Sequence, residues 1–115
     1  MAVLIDTGFC ALELRILRRC LQRHGLRPCD VKAILLTHGH IDHTGNAAAL
    51  RTWTGAPVWA HAAETEHVAG TYRYRDVAQL CGWLEWAARL AIRYEPPVIG
   101  FSRMATPSRS GAACV

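Results

Sequence analysis

His38-Gly39-His40-Ile41-Asp42-His43 puts four metal-binding side chains into six consecutive positions. Imidazole and carboxylate together suit Zn²⁺ and other borderline divalent cations. A lone histidine is most often an ordinary surface residue. Three of them with an aspartate in one short window point to a metal, and the chemistry a metal offers there is an activated water able to attack an electrophilic carbon or phosphorus near neutral pH.

The elements that must position these side chains can be read on either side. Ala33-Ile34-Leu35-Leu36-Thr37 is a short apolar, partly β-branched run after Pro28 and Asp30, and it predicts a buried strand running into the cluster. His38 and His40 leave that strand's end. Residues two apart in an extended segment point to the same side, so both imidazoles can reach one ion. Asp42 and His43 follow a turn and are displaced towards a second ion, as in two-metal sites. Thr44-Gly45-Asn46 then lead into Ala47-Ala48-Ala49-Leu50-Arg51, a helix-forming stretch.

His38 to His43, with the strand before it and Thr44-Gly45-Asn46 after it, resembles the HxHxDH signature of the metallo-β-lactamase superfamily. Two flanking segments resemble the same family in the same order. Val3-Leu4-Ile5-Asp6-Thr7-Gly8 is similar to the strand and Asp-Thr-Gly turn ahead of the signature, and Thr54 to Glu64 is similar to the strand and turn that follow it. The resemblance covers residues 2 to 67. It implies a partial αβ/βα sandwich of α/β class, mainly one β-sheet layer covered by helices.

By that resemblance His38 and His40 are ligands of the first site and Asp42 and His43 of the second, with Asp42 also placed to shuttle a proton. The cofactor implied is zinc, as one or two ions, with iron or manganese as alternatives. Asp6 is similar to an aspartate that orients ligands without touching metal; its simpler reading is a turn residue after a strand. The implied activity is metal-dependent hydrolysis of a small-molecule ester, thioester, lactone, lactam or phosphodiester. A non-catalytic, truncated metal-binding or interaction protein and a mononuclear iron oxygenase of the same superfamily are the alternatives.

The departures are as specific as the matches. Family members complete their sites with a later HxxGH-like histidine, a bridging aspartate and a last histidine, whereas no histidine follows His67 here. His61 and His67 are the remaining candidate ligands. His67 stands at a Glu-x-x-His helical spacing from Glu64, which more often marks a solvated polar face. With 115 residues the chain is expected to correspond to the family's N-terminal half without its leading edge, and alone it is expected to turn over such substrates poorly.

Thirteen basic against nine acidic residues give a formal charge of +4, too small and dispersed to indicate nucleic-acid binding. No secretory segment opens the sequence, so a cytoplasmic setting is the default. Five cysteines without a CxxC pair signal neither a disulfide framework nor a zinc ribbon. Cys20 and Cys81 fall in apolar helical patterns and are expected to pack as small hydrophobes.

Two long helices are predicted. The first runs from Ala11 to His24 with Leu12, Ile16, Leu17, Cys20 and Leu21 towards a sheet and Gly25 as its stop. The second runs from Asp76 to Arg93, with a stripe of Val77, Leu80, Cys81, Leu84, Ala88 and Ala91 widened by Trp83, Trp86 and Leu90. Charges inside it argue against a membrane span. Its apolar face is expected to pack on more protein, self-association included, in preference to acting as a lid. Residues 1–95 thus form the expected domain, and 96–115 an expected flexible or aberrant tail.

Overall fold

The computed structural model describes residues 1–75 and 78–101. Four strands, β1 (Ala2–Ile5), β2 (Val31–Leu36), β3 (Val58–Ala60) and β4 (Ile99–Phe101), lie side by side in that order. All three pairings are parallel, with Ile5 opposite Leu35, Leu36 opposite Ala60 and Ala60 opposite Phe101. Parallel neighbours need crossovers. These are α1 (Ala11–Arg23), then α2 (Ile41–Thr44) and α3 (Ala47–Thr54), then α4 (Thr65–Ala69) and α5 (Gln79–Ala91).

Strand alternation divides the sheet's side chains between two faces. Leu4, Ile34, Leu36, Val58 and Ala60 are buried beneath helices, in one cluster with Leu21, Leu50 and Val68. Ile34, Leu50, Val58 and Val68 are almost wholly excluded from water; each contributes roughly 1.5–3 kcal/mol by burial. On the other face Val3, Ile5 and Leu35 are exposed. The α/β layer is therefore covered by helices on one side.

Two expectations change, and the α5 face expected to pack on more protein lies exposed in the isolated chain. In α1 the inward residues are Leu14, Leu17 and Leu21, whereas Leu12 and Ile16 are exposed; the stripe is rotated because Leu14 replaces Leu12 against the sheet. Cys20 and Cys81 are exposed thiols and not core residues. In α5 the apolar stripe faces outward, with Leu80, Trp83, Leu84, Trp86 and Leu90 each at least 60% exposed, while Glu85 and Arg89 face the body. Polar ties to neighbouring carbonyls, not apolar burial, fix this helix's rotation. Its expected first residues, Asp76 and Val77, lie outside the described residues, as does the expected tail from 102 onwards. The sheet itself continues past residue 95, since β4 pairs with β3.

Glycine is required at two places in the cluster loop. A Cβ on Gly39 would stand 2.3 Å from His67 Cβ and 2.7 Å from Val68 N, and one on Gly45 would stand 2.5 Å from Phe9 O. The loop therefore packs directly on α4 and on the β1–α1 turn. No helix among the described residues is long and apolar enough to cross a membrane.

Candidate metal centre

Three loops meet beyond the carboxyl ends of adjacent parallel strands, where ligands gather in open α/β sheets. Asp6 follows β1, residues 37–43 follow β2 and His61 follows β3. The first two loops are stitched together. Thr7 donates from both its amide and its hydroxyl to His43 O, each at 2.8 Å, and buried Asn46 donates through Nδ2 to Thr7 O and Cys10 O, each at 3.0 Å.

Asp6 lies at the centre of the polar contacts. Its Oδ1 accepts from Thr37 N at 2.9 Å, and its Oδ2 meets Thr37 Oγ1 at 2.8 Å and His43 Nδ1 at 2.9 Å. Burial raises the Asp6 carboxyl, but hydrogen bonds from the Thr37 amide, His43 and the Thr37 hydroxyl, with the His43 charge, hold it below the ordinary carboxylate range. An ionised carboxylate has no proton to give, so His43 Nδ1 is the donor in their contact.

Thr37 Oγ1 spends its single proton on Asp6, and it also lies 2.9 Å from His38 Nδ1. That contact must carry the ring's proton. Asp6 thus orients His43 directly, and His38 through Thr37, by engaging Nδ1 and leaving Nε2 for another partner.

His38, Asp42 and His43 each place one ligand atom in a common group whose members all lie within 4.8 Å of one another. Tetrahedral donors at about 2.1 Å from one ion lie about 3.4 Å apart, so closure by roughly an ångström or more would bring the group into range, with exposed Asp42 at its rim. His43 Nε2 already lies 3.3 Å from Asp42 Oδ2. A proton on His43 or a metal cation between the two atoms would satisfy that contact. The donor set fits a divalent ion.

The other sequence candidates stand apart from this group. His40 is exposed, its ring edge-on to His38 with centroids 4.9 Å apart and 5.7 Å from the ring of His67. The chain turns into α2 at His40, whose ring lies between those of His38 and His67. His67 stacks on Tyr72 with centroids 3.7 Å apart, and its Nδ1 is buried without a hydrogen-bond partner, 3.7 Å from Glu64 Oε2. Glu64 Oε2 instead accepts from Gly39 N at 2.9 Å. His61 is exposed and caps the short 3-10 turn after β3, accepting from Ala63 N at 3.2 Å.

Sequence reasoning missed two residues that hold the site. Thr37 was read only as the end of a strand; its sole signal was a hydroxyl adjoining His38. Arg89 pairs with Glu85 one helical turn before it, at 2.7 Å. The same guanidinium also donates to His67 O at 2.7 Å and Gly39 O at 3.3 Å, tying α5 to the cluster loop.

Comparison with known proteins agrees with this layout. The model of the family described as the metallo-beta-lactamase superfamily matches residues 2–98. A relative named hydroxyacylglutathione hydrolase, from Anaeromyxobacter dehalogenans, is 42% identical over 74 residues, which are 64% of this chain and 26% of the relative. A probable metallo-hydrolase of Bacillus subtilis is 38% identical over 72 residues, 63% of this chain and 27% of the relative. Among solved structures, a HARLDQ-motif variant of a metallo-beta-lactamase from Cronobacter sakazakii aligns with a TM-score of 0.63 at 28% identity, over 86% of this chain and 35% of that one. The chain spans about a quarter of the length of these two relatives.

Proposed function

This chain belongs to the metallo-beta-lactamase superfamily, and on that premise we propose that it is the metal-holding portion of a zinc-dependent hydrolase acting on an acyl or phosphoryl bond, a thioester before an ester, lactone, lactam or phosphodiester. Its homologues carry metallo-hydrolase names, and the preference for a thioester rests on the relative named for hydroxyacylglutathione. The observation that carries the reading is the convergence of His38, Asp42 and His43 beside the ionised Asp6.

His38 and His43 would hold the ion through Nε2 and Asp42 through a carboxylate oxygen, with His40 as the nearest further imidazole. A bound divalent ion supplies a water acidic enough to act as a nucleophile near pH 7 and polarises the substrate oxygen under attack. Asp6 would hold both imidazoles with Nδ1 engaged and Nε2 turned to the ion. Asp42, exposed at the rim, is placed to take a proton from the attacking water and hand it to the leaving group.

Zinc titration of the purified chain, with His38→Ala and His43→Ala beside it, tests the site. Loss of affinity in both variants is expected, and affinity equal to the parent's would sink the assignment. Turnover of thioester, lactone, β-lactam and phosphodiester panels with and without zinc then tests the activity, Asp42→Ala serving as control.

One observation favours a second reading. Two histidines and one carboxylate form the donor set of many non-haem iron oxygenases, and His38, His43 and Asp42 make that set here. Metal analysis of the protein as isolated decides between them: iron together with oxygen-dependent turnover selects the oxygenase, zinc the hydrolase.

A further inference from the structure

We propose that the hollow between α5 and the segment Thr71–Arg75 is a recognition pocket for the aromatic, anionic part of a substrate, an aryl or arylalkyl carboxylate in particular. This rests on the metal-centre reading above only in making the bound molecule a substrate. The hollow has a volume of about 650 Å³, within the usual range for sites that bind molecules of drug size. Its walls are Tyr72, Tyr74, Trp83 and Trp86, and apolar surface predominates.

The wall is an ordered stack. His67 lies parallel to Tyr72 with centroids 3.7 Å apart, and Tyr72 meets Tyr74 edge to face at 5.0 Å. Such rings offer π faces and edges to a flat guest at little cost in side-chain entropy. Opposite them, Trp83 and Trp86 are 71% and 60% exposed, large apolar surface of the kind that marks a binding site. Glycine keeps the space between wall and helix narrow, since a Cβ on Gly82 would stand 2.7 Å from the Tyr74 ring.

Charge selects among aromatic guests. Glu85 and Arg89 neutralise one another across 2.7 Å, which leaves exposed Arg73 as the unbalanced charge of the lining. An anionic guest would pair with Arg73, and a cationic one would oppose it.

Position joins the hollow to the metal centre. His67 belongs to its lining, and the ring of His67 is 5.7 Å from that of His40. Arg89, also in the lining, donates to Gly39 O within the cluster loop. A guest held by the aromatic wall would present its acyl end towards residues 38–43.

The test uses the full chain stripped of metal with a chelator, so that the pocket is read without the metal centre. Indole N–H signals of all four tryptophans are followed by NMR during titration with 1-naphthaleneacetate, and with acetate and 1-naphthylmethylamine as controls. Trp83 and Trp86 should shift with naphthaleneacetate while Trp59 does not, and both controls should bind at least fivefold more weakly. Trp86→Ala and Tyr72→Ala, both at exposed positions, should weaken binding about tenfold, and Trp86→Ala should leave zinc affinity unchanged. Acetate binding as tightly as the aromatic acid, shifts spread over all tryptophans, or unaltered binding in both variants would overturn the proposal. So would a dimer in sedimentation that Trp83→Ala dissociates, because a second copy would then occupy the hollow. Zinc binding without naphthaleneacetate binding defeats the pocket alone, and the reverse result defeats the metal reading alone.

Discussion

Asp6 Oδ2 accepts the Nδ1 proton of His43 at 2.9 Å, from a residue whose own backbone is left-handed, with φ at +58°. A non-glycine residue pays about 1 kcal/mol or more for that conformation. The strain is offset by what the carboxylate gains there: one backbone amide, one hydroxyl and one imidazole, all from the loop after β2. Asp6→Asn should keep the fold and lower zinc affinity by about 10- to 100-fold, the usual effect of losing a residue that orients a metal-binding histidine. Calorimetric titration of both proteins is the measurement, and unchanged affinity would show that His43 orients itself.

The direction of the Asp6 shift fixes a pH dependence in the metal-free chain. Its folded carboxyl titrates below the ordinary range, so the unfolded chain takes up the proton first on acidification. Its contribution to stability is therefore fully present above the unfolded carboxylate value, about 3.9, and disappears as pH falls through the folded value. Glu85 acts in the same direction: burial raises it, but Tyr74 and Arg89 outweigh burial and lower it. Urea midpoints of the parent and Asp6→Asn separate the two, since the gap between them should shrink steadily on acidification. A gap that widens in acid would contradict the assignment.

The grouping of His38, Asp42 and His43, the strand that feeds it and the strand–helix order through residue 60 were legible in the sequence because each rests on local signals: residue type, period two and glycine punctuation. What failed depended on contacts between distant elements. The α1 pattern contains more apolar positions than the sheet can accept, and only packing decides that Leu14 is buried and Leu12 is not. The rotation of α5 follows from hydrogen bonds to Gly39 O and His67 O, some fifty and twenty residues away in the chain. His40 lies beyond the end of β2 at Leu36, so strand alternation alone does not place its ring beside that of His38.

Gly39 sits between two candidate ligands and against α4, where a methyl group has no room. Gly39→Ala should cost roughly 1–3 kcal/mol or more, as overpacking does, because Val68 N is backbone and cannot swing aside. Gly55→Ala is the internal comparison, since that position has a left-handed φ of +73° and nothing within 4 Å. A smaller loss for Gly39→Ala than for Gly55→Ala in urea denaturation would show that the cluster loop is not packed on α4.

The Thr37 hydroxyl passes the influence of Asp6 to His38, and isosteric replacement isolates it. Thr37→Val keeps the shape but leaves His38 Nδ1 without its acceptor, so zinc affinity should fall while Thr37→Ser retains most of it. Nitrogen-15 imidazole shifts report the tautomer directly. The parent and Thr37→Ser should show His38 protonated at Nδ1, and Thr37→Val a mixture. The Nδ1 tautomer surviving intact in Thr37→Val would remove Thr37 from the site.

Arg89 ties the candidate pocket to the candidate metal centre, and its removal should damage both. Its side chain and that of Glu85 are only 12% and 14% exposed, the guanidinium also lies over the Tyr94 ring at 4.3 Å, and one of its nitrogens serves the carbonyls of Gly39 and His67. Arg89→Met preserves length and apolar contact while leaving the Glu85 charge buried beside Tyr74, so a loss of roughly 3 kcal/mol is expected, in keeping with other buried pairs broken on one side. Glu85→Gln added to Arg89→Met should recover part of that loss, because much of it is the orphaned charge. A double-mutant cycle in urea measures the coupling. Losses that add without interaction would reduce the pair to an ordinary surface bridge and leave α5 held by other contacts.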